Sequence, residues 1–303
     1  MFNSLLVVRA TANQLGVFNN QTLEFKQHRW VSSPGGPIYG AESLKKVGET
    51  PIPAGSLLLG HVIGTDIPIF LNCSSACEGH VALLGMTKMG KSTLAARIAQ
   101  ELSQTRNVTI LDQTGEYVSK KGFTPCNMDG DWTTPGVSVF EPKPGEVAAD
   151  RALAFLEFLV KKAVAEYKAG TPSPRVVIID EAHQFIPEPA GLGFGAPGRD
   201  SSFQIGLLLM QIRKYGISVF LISQRTAVVA KSALSQCENL IAFRSVDQTG
   251  LDYLEAIAGG EIRSLLPQLR QGEALVFGPA ISADGAVAIQ VSNPPPLPPV
   301  EAA

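Results

Sequence analysis

Two short segments hold the residues whose types and spacing can do chemistry. The first, Gly85-Met86-Thr87-Lys88-Met89-Gly90-Lys91-Ser92, fits G-x-x-x-x-G-K-[ST] and stands between a strand-like run, His80 to Leu84, and a helix-like run that starts at Lys91 and places Leu94, Ile98 and Leu102 at four-residue spacing. A glycine-bearing loop that feeds a helix N-terminus gathers backbone N–H groups at the positive end of the helix dipole, and phosphate oxygens bind there. In that chemistry Gly85, Met86, Thr87, Lys88, Met89, Gly90, Lys91, Ser92 and Thr93 form a nucleotide cradle. Lys91 reaches the β- and γ-phosphates, and the Ser92 hydroxyl ligates Mg²⁺.

The second segment, Val176 to Glu181, is an apolar run that ends in two acids. A buried strand fixes such carboxylates rigidly: Asp180 would enter the Mg²⁺ shell, and Glu181 would polarise the water that attacks the γ-phosphate. The string Asp180-Glu181-Ala182-His183 also spells the DEAH box of superfamily 2 helicases. No Ser-Ala-Thr or Gln-x-x-Gly-Arg-x-Gly-Arg segment follows it, however, and the chain after residue 80 is too short for two RecA-like lobes. The guanine-reading Asn-Lys-x-Asp and the ABC signature Leu-Ser-Gly-Gly-Gln are also absent.

A third run, Gly216 to Arg225, is again apolar with a polar end, which makes Gln224 a candidate γ-phosphate sensor on a strand beside that of Asp180. Arg213 and Lys214 close the helical run before it. Two readings of Arg213 stay open: a cation favoured at a helix C-terminus, or an arginine finger offered to a neighbouring subunit.

Holding these groups in place takes a rigid frame, and the hydrophobic pattern supplies one. Apolar runs bounded by turns recur at 57–59, 67–71, 81–84, 108–111, 176–179, 217–222, 240–243, 274–277 and 287–291. Amphipathic stretches at 91–104, 147–168 and 203–214 lie between them. Continuous apolar runs suit strands buried on both faces, and their alternation with helices predicts an α/β domain with a mainly parallel sheet. That domain is expected over 56–292. Residues 1–55, with turn clusters at 32–37 and 51–55, read as a small strand-rich N-terminal appendage, and 293–303 as a proline-rich tail. The Gly- and Pro-rich stretch 187–202 reads as a mobile loop.

Composition narrows the classes further. Of 303 residues 45% are hydrophobic and 17% charged, against a usual ~25% charged, so a globular core is expected rather than disorder. A formal net charge of −2 gives no global attraction for nucleic acid, so any such contact must be local. Cys73, Cys77, Cys126 and Cys237 lack C-x-x-C spacing and read as reduced thiols. The start lacks a basic n-region, and no apolar run is long enough for a membrane span, so a cytoplasmic location without membrane contact is the expectation.

In order along the chain, these pieces resemble the HerA branch of the FtsK/HerA superfamily of P-loop ATPases. The likeness covers about residues 56–292. It rests on Gly85 to Ser92; Asp112-Gln113-Thr114-Gly115-Glu116-Tyr117; Asp180 to Pro187; Arg213 to Gly216; Ser223-Gln224-Arg225; Leu234 to Cys237; Phe243-Arg244 with Asp247; and Leu269 to Ala274. The resemblance implies a RecA-like ATPase domain in a homohexameric ring, ATP with Mg²⁺ at each subunit boundary and double-stranded DNA in the centre. It also implies Lys91, Ser92, Asp180 and Glu181 as the catalytic core, Gln224 as sensor and Arg213 as the trans-acting arginine. Arg244 either faces the nucleotide boundary or pairs with Asp247, and Asp112 and Glu116 either shape their loop or take part in chemistry. The resemblance implies action with a partner nuclease in DNA end processing, or, as in short relatives, a role in genome packaging or antiviral defence. The alternative is an ATP-binding scaffold or switch that assembles a partner, nuclease or other effector, without moving DNA. Three departures stand out: Thr226, Gln211-Ile212, and Lys88 at a position where the family has Gly, the residue that tolerates positive φ.

Overall fold

A computed structural model describes residues 17–19, 24–26, 51–128, 130, 132–141, 145–259 and 262–292. Most of the expected N-terminal appendage and the whole proline-rich tail lie outside the described residues. Within the appendage, β1 (Val17–Asn19) and β2 (Glu24–Lys26) form a two-stranded antiparallel ladder.

The main body proceeds as β3 (Ser56–Val62), β4 (Pro68–Asn72), α1 (Cys73–Glu78), β5 (His80–Leu84), α2 (Lys91–Leu102), β6 (Asn107–Leu111), β7 (Phe123–Pro125), β8 (Gly136–Phe140) and α3 (Ala148–Lys168). It continues with β9 (Arg175–Ile179), α4 (Ala182–Phe185), α5 (Arg199–Leu209), β10 (Ile217–Ser223), α6 (Lys231–Leu234), β11 (Cys237–Phe243), α7 (Gln248–Ala258), α8 (Ile262–Leu265), β12 (Glu273–Phe277) and β13 (Val287–Val291). All strands from β3 onward join one sheet in the order β4-β3-β13-β12-β11-β5-β10-β9-β6-β8-β7. From β11 to β7 the pairing is parallel, and from β11 through β12, β13 and β3 to β4 it is antiparallel. The mainly parallel α/β sheet expected from the sequence is therefore present, with an antiparallel flank.

Helices cover both faces, which explains why the central strands read as unbroken apolar runs. Val81 and Leu83 of β5 pack with Leu94, Ile98 and Leu102 of α2 on one face. Ala82 and Leu84 point the other way, into a cluster built with Phe155, Leu156 and Leu159 of α3 and Ile205 and Leu209 of α5. The side-chain period of two along a strand divides one sequence run between two cores.

Two expectations need correction. The helix placed at 203–214 begins earlier, at Arg199, because Gly198 takes a left-handed conformation (φ 77°) and turns the chain into it; part of the stretch read as a mobile loop is thus helical. The α-helix also ends at Leu209. Ile212–Tyr215 is a separate 3₁₀ turn closed by left-handed Gly216 (φ 76°), so Arg213 sits on that turn and not in the last turn of an α-helix. β7, β8 and α7 are elements that the apolar-run reading passed over. Among the described residues no helix is long and apolar enough to cross a membrane.

Candidate nucleotide-binding site

The parallel strands place the predicted groups along one edge of the sheet. β5 delivers the loop Gly85–Gly90, β9 delivers Asp180 and Glu181, and β10, which lies between them, delivers Gln224. Register holds these ends level: Ser223 pairs with Leu84 and Leu221 with Ile179. Crevices at the C-terminal edge of parallel strands are the usual ligand sites of α/β sheets.

Local geometry fixes the loop. Gly85 has φ 135°, and a Cβ there would meet the Cβ of Phe243 at 2.7 Å, so only glycine lets the loop pass over β11. Its N–H donates to Ser223 O at 3.2 Å, and that of Met86 to Arg244 O at 2.9 Å. Gly90 (φ 112°) starts α2, and no side chain caps the helix, so its first-turn N–H groups are left for an anion. Lys88 has φ 60°. A side chain in that region costs on the order of 1 kcal/mol, and Lys88 takes the glycine-like conformation despite it.

The charges are close-set and incompletely partnered. Lys91 is buried and its Nζ donates to Met86 O at 2.7 Å. Burial pulls its ammonium below the ordinary lysine value, while Glu181, Asp180 and Glu116 push it back up. Asp180 is 4% exposed, and burial, reinforced by Glu181, raises its carboxyl to about 7. Glu181 has φ 50°, the other non-glycine residue with positive φ among the described residues. Its Oε2 has no hydrogen-bond partner; His183 Nδ1 lies 3.3 Å away without hydrogen-bond alignment, and the same nitrogen is 3.5 Å from Ser223 Oγ. A serine hydroxyl, a buried carboxylate of raised pKa and an orphaned carboxylate oxygen form an oxygen donor set that fits a hard divalent cation. Among the described residues no cluster of three or more His, Cys, Asp or Glu has metal-cage geometry, and the four cysteines are free thiols.

Two clefts meet over the start of α2. One, of about 410 Å³, is lined by Lys88, Gly90, Lys91, Ser92, Thr93, Glu116 and Gln271. The other, of about 370 Å³, shares Gly90, Thr93 and Gln271 and extends to Arg97, Phe243 and Gln290. The sequence reading assigned no role to Arg97, Phe243, Gln271 or Gln290, which converge here from three distant segments. It also assigned none to His183 or Tyr117. The Tyr117 hydroxyl is fully buried beside the Ser92 hydroxyl, and burial, with Asp180 nearby, pushes its phenol far up.

Asp112 shapes its loop: Oδ1 accepts from the N–H groups of Thr114 and Gly115 and the Thr114 hydroxyl, and Oδ2 from Tyr117 N–H. Glu116 instead faces the cleft. Among the described residues Arg244 makes no ion pair with Asp247, because the Asp247 carboxylate caps α7 through Gly250 N–H at 2.9 Å. Arg213 is the site residue that the fold sets apart. It precedes β10, at the opposite edge of the sheet from the loop, and pairs with Glu238.

Several known proteins are similar to this chain. A probable helicase of Methanocaldococcus jannaschii is 37% identical over 102 residues, 32% of this chain and 19% of that protein. The DNA double-strand break repair helicase HerA of Pyrococcus furiosus is 29% identical over 119 residues, 38% of this chain and 20% of that protein. The matched part thus spans about a fifth of the length of these relatives. Among solved structures, the conjugation coupling protein TcpA, in its monomer form with ATPγS, superposes with a TM-score of 0.56 at 17% identity, over 79% of this chain and 66% of that one. EccC of Thermomonospora curvata (ATPases 2 and 3) gives 0.53 at 13% identity, over 89% and 46%. Both share the P-loop ATPase fold. The family model described as "Helicase HerA, central domain" matches residues 57–257, from β3 into α7, and the chain belongs to that family.

Proposed function

We propose that the chain is the motor domain of an ATP-driven double-stranded DNA translocase that works as a hexameric ring and hydrolyses ATP at subunit boundaries. The observation that carries this reading is the convergence of the Gly85–Ser92 loop, Asp180-Glu181 and Gln224 on one sheet edge, with an uncapped helix N-terminus facing them. The triphosphate lies along the 410 Å³ cleft, and base and ribose occupy the adjoining 370 Å³ cleft. Lys91 would leave Met86 O for the β- and γ-phosphates, and Ser92 and Asp180 would hold Mg²⁺, which would offset charge on the phosphates. Glu181, steadied by His183, orients the attacking water, and Gln224 contacts the γ-phosphate from the intervening strand. The raised carboxyl of Asp180 accords with a site completed by a cation.

The position of Arg213 supports action in trans: it is exposed and lies at the sheet edge away from its own loop, so it is available to a neighbour's γ-phosphate. For DNA contact, Arg199 at the start of α5 and Lys231 at the start of α6 supply cations. The two segments that carry them are joined, since Glu188 N–H donates to Val228 O and Lys231 N–H to Glu188 Oε2 at 2.8 Å. The names of relatives, which include helicases of DNA double-strand break repair, support a DNA substrate and fit a partner nuclease. The test is ATP turnover with and without duplex DNA, together with the assembly mass with and without nucleotide. Stimulated turnover by a six-membered assembly is expected, and a monomer with DNA-independent turnover would refute the motor. Arg213→Ala is expected to keep ATP binding and to lose turnover by about 10³-fold or more. Full turnover in that variant would end the trans assignment.

A further inference from the structure

Lys88 does not fit the economy of the loop around it. Glycine would take φ 60° without strain, yet a lysine holds that conformation, and among the described residues the other side chain under the same constraint is Glu181. Among the described residues the Lys88 ammonium has no ion pair or hydrogen bond, and the side chain is exposed on the wall of the 410 Å³ cleft. The charges around it are lopsided. Asp180, Glu181 and Glu116 surround the loop, and the buried cation that answers them, Lys91, donates to Met86 O. A polyanion entering this cleft meets more acidic than basic side chains, and beyond a cation held by Ser92 and Asp180 the free ammonium on the cleft wall is that of Lys88.

Position along the trough indicates which part of a nucleotide Lys88 meets. The base-side cleft shares Gly90, Thr93 and Gln271 with the phosphate cleft but does not include Lys88. Lys88 lines the phosphate cleft together with Lys91 and Ser92, the residues read as holding the β- and γ-phosphates and their cation. A flexible four-carbon stem with a compact charge suits the non-bridging oxygens of a terminal phosphate, which carry negative charge that a diphosphate lacks.

Resting on the nucleotide reading of this site, we propose that Lys88 is a cis-acting phosphate-binding residue that contacts the γ-phosphate and makes the site distinguish nucleoside triphosphate from diphosphate. The glycine conformation is kept at a cost in local strain because the ammonium is needed at that point of the loop.

Four forms of the full chain, wild type, Lys88→Gln, Lys88→Gly and Lys88→Arg, test this, with Lys91→Ala as the control for the site. Binding of ATPγS and ADP in the presence of Mg²⁺ is measured by titration, alongside ATP turnover and Tm. Lys88→Gln is expected to lower the ATPγS-to-ADP affinity ratio about tenfold, as loss of one charged contact to a phosphate predicts, with ADP affinity little changed. Lys88→Gly is expected to show the same loss while its Tm rises, because the backbone strain is gone and the charge with it. Lys88→Arg is expected to restore most of the ratio. If Lys88→Gly and Lys88→Gln keep the wild-type ratio and turnover while Lys91→Ala abolishes binding, the γ-phosphate role is wrong and the nucleotide site stands. If neither wild type nor Lys91→Ala binds ATPγS, both readings fail.

Discussion

At the start of β9, Arg175 is 1% exposed, and its guanidinium donates to Trp132 O at 2.7 Å, to Ser173 O at 3.0 Å and in a two-pronged contact to Glu166 at 2.7 and 2.8 Å. Past the end of the same strand, Asp180 is almost as deeply buried, yet its carboxyl is pushed up to about 7 and Glu181 beside it has an orphaned oxygen and a left-handed backbone. Four residues of strand, Val176 to Ile179, separate a buried charge whose donors are satisfied from a pair of acids whose partnering is incomplete. The first is how a protein stabilises an ion inside itself. The second is what remains when the missing partner is a ligand, and strain and unmet hydrogen bonds concentrate there.

Substitutions at the two ends should therefore fail in different ways. Lys91→Ala is expected to abolish measurable ATP binding by titration, since the buried cation that reaches the β- and γ-phosphates is then gone. Glu181→Gln should keep binding and lose turnover by about 10²–10⁴-fold, the usual contribution of a positioned general base. Its Tm should stay level or rise, because a buried oxygen without a partner is replaced by a neutral amide. Equal, negligible turnover in wild type and Glu181→Gln would instead identify an ATP-binding scaffold. A large fall in Tm would place Glu181 with the structural charges at the other end of the strand.

The functional end was far more legible in the sequence than the structural end. Gly85 to Ser92 and Asp180-Glu181 have residue types that a fixed chemistry demands at fixed spacing, and each follows an apolar run that predicts its strand. Arg175 carried no such mark, because a lone arginine opening a strand looks like any surface cation until Glu166, one turn from the end of α3, and Trp132 close over it. The base-side cleft escaped for the same reason: Arg97, Phe243, Gln271 and Gln290 meet only after the antiparallel flank has folded back along β11. Strand β8 was missed because its half-buried alternation, Gly136 to Phe140, is short and lacks a continuous apolar run. Lys88 was legible as an oddity, and its positive φ in the structure gives that oddity a conformation.

At the structural end, Glu166→Ala removes the carboxylate and leaves Arg175 charged and buried with only carbonyl acceptors. Loss of one partner of a buried pair is expected to cost about 3 kcal/mol in denaturant unfolding. ATPγS affinity should be unchanged, because the defect lies at the far end of β9, and a parallel loss of affinity would show that the two ends are coupled. The same pair predicts a pH dependence. Arg175 holds the Glu166 carboxyl below its ordinary value of 4.5, so its stabilising effect is present above that value and is lost as pH falls through the depressed folded value. Wild type should therefore lose its stability advantage over Glu166→Gln on acidification below 4.5, and a constant advantage down to pH 2 would contradict the assignment.

The smallest effect is expected at Arg213 and Glu238, which share the structural edge of the sheet but not its burial. Both side chains are 49% exposed, so their ion pair is screened by water and contributes about 0–1 kcal/mol. Glu238→Gln should barely move the unfolding midpoint, in contrast with Glu166→Ala on α3. That weakness is what a trans-acting arginine requires, since a finger tied down by a strong partner would have to break it each time a neighbour binds ATP. If Glu238→Gln lowered stability by several kcal/mol, Arg213 would belong with Arg175 as a structural cation, and the turnover lost in Arg213→Ala would have to be reassigned to misfolding.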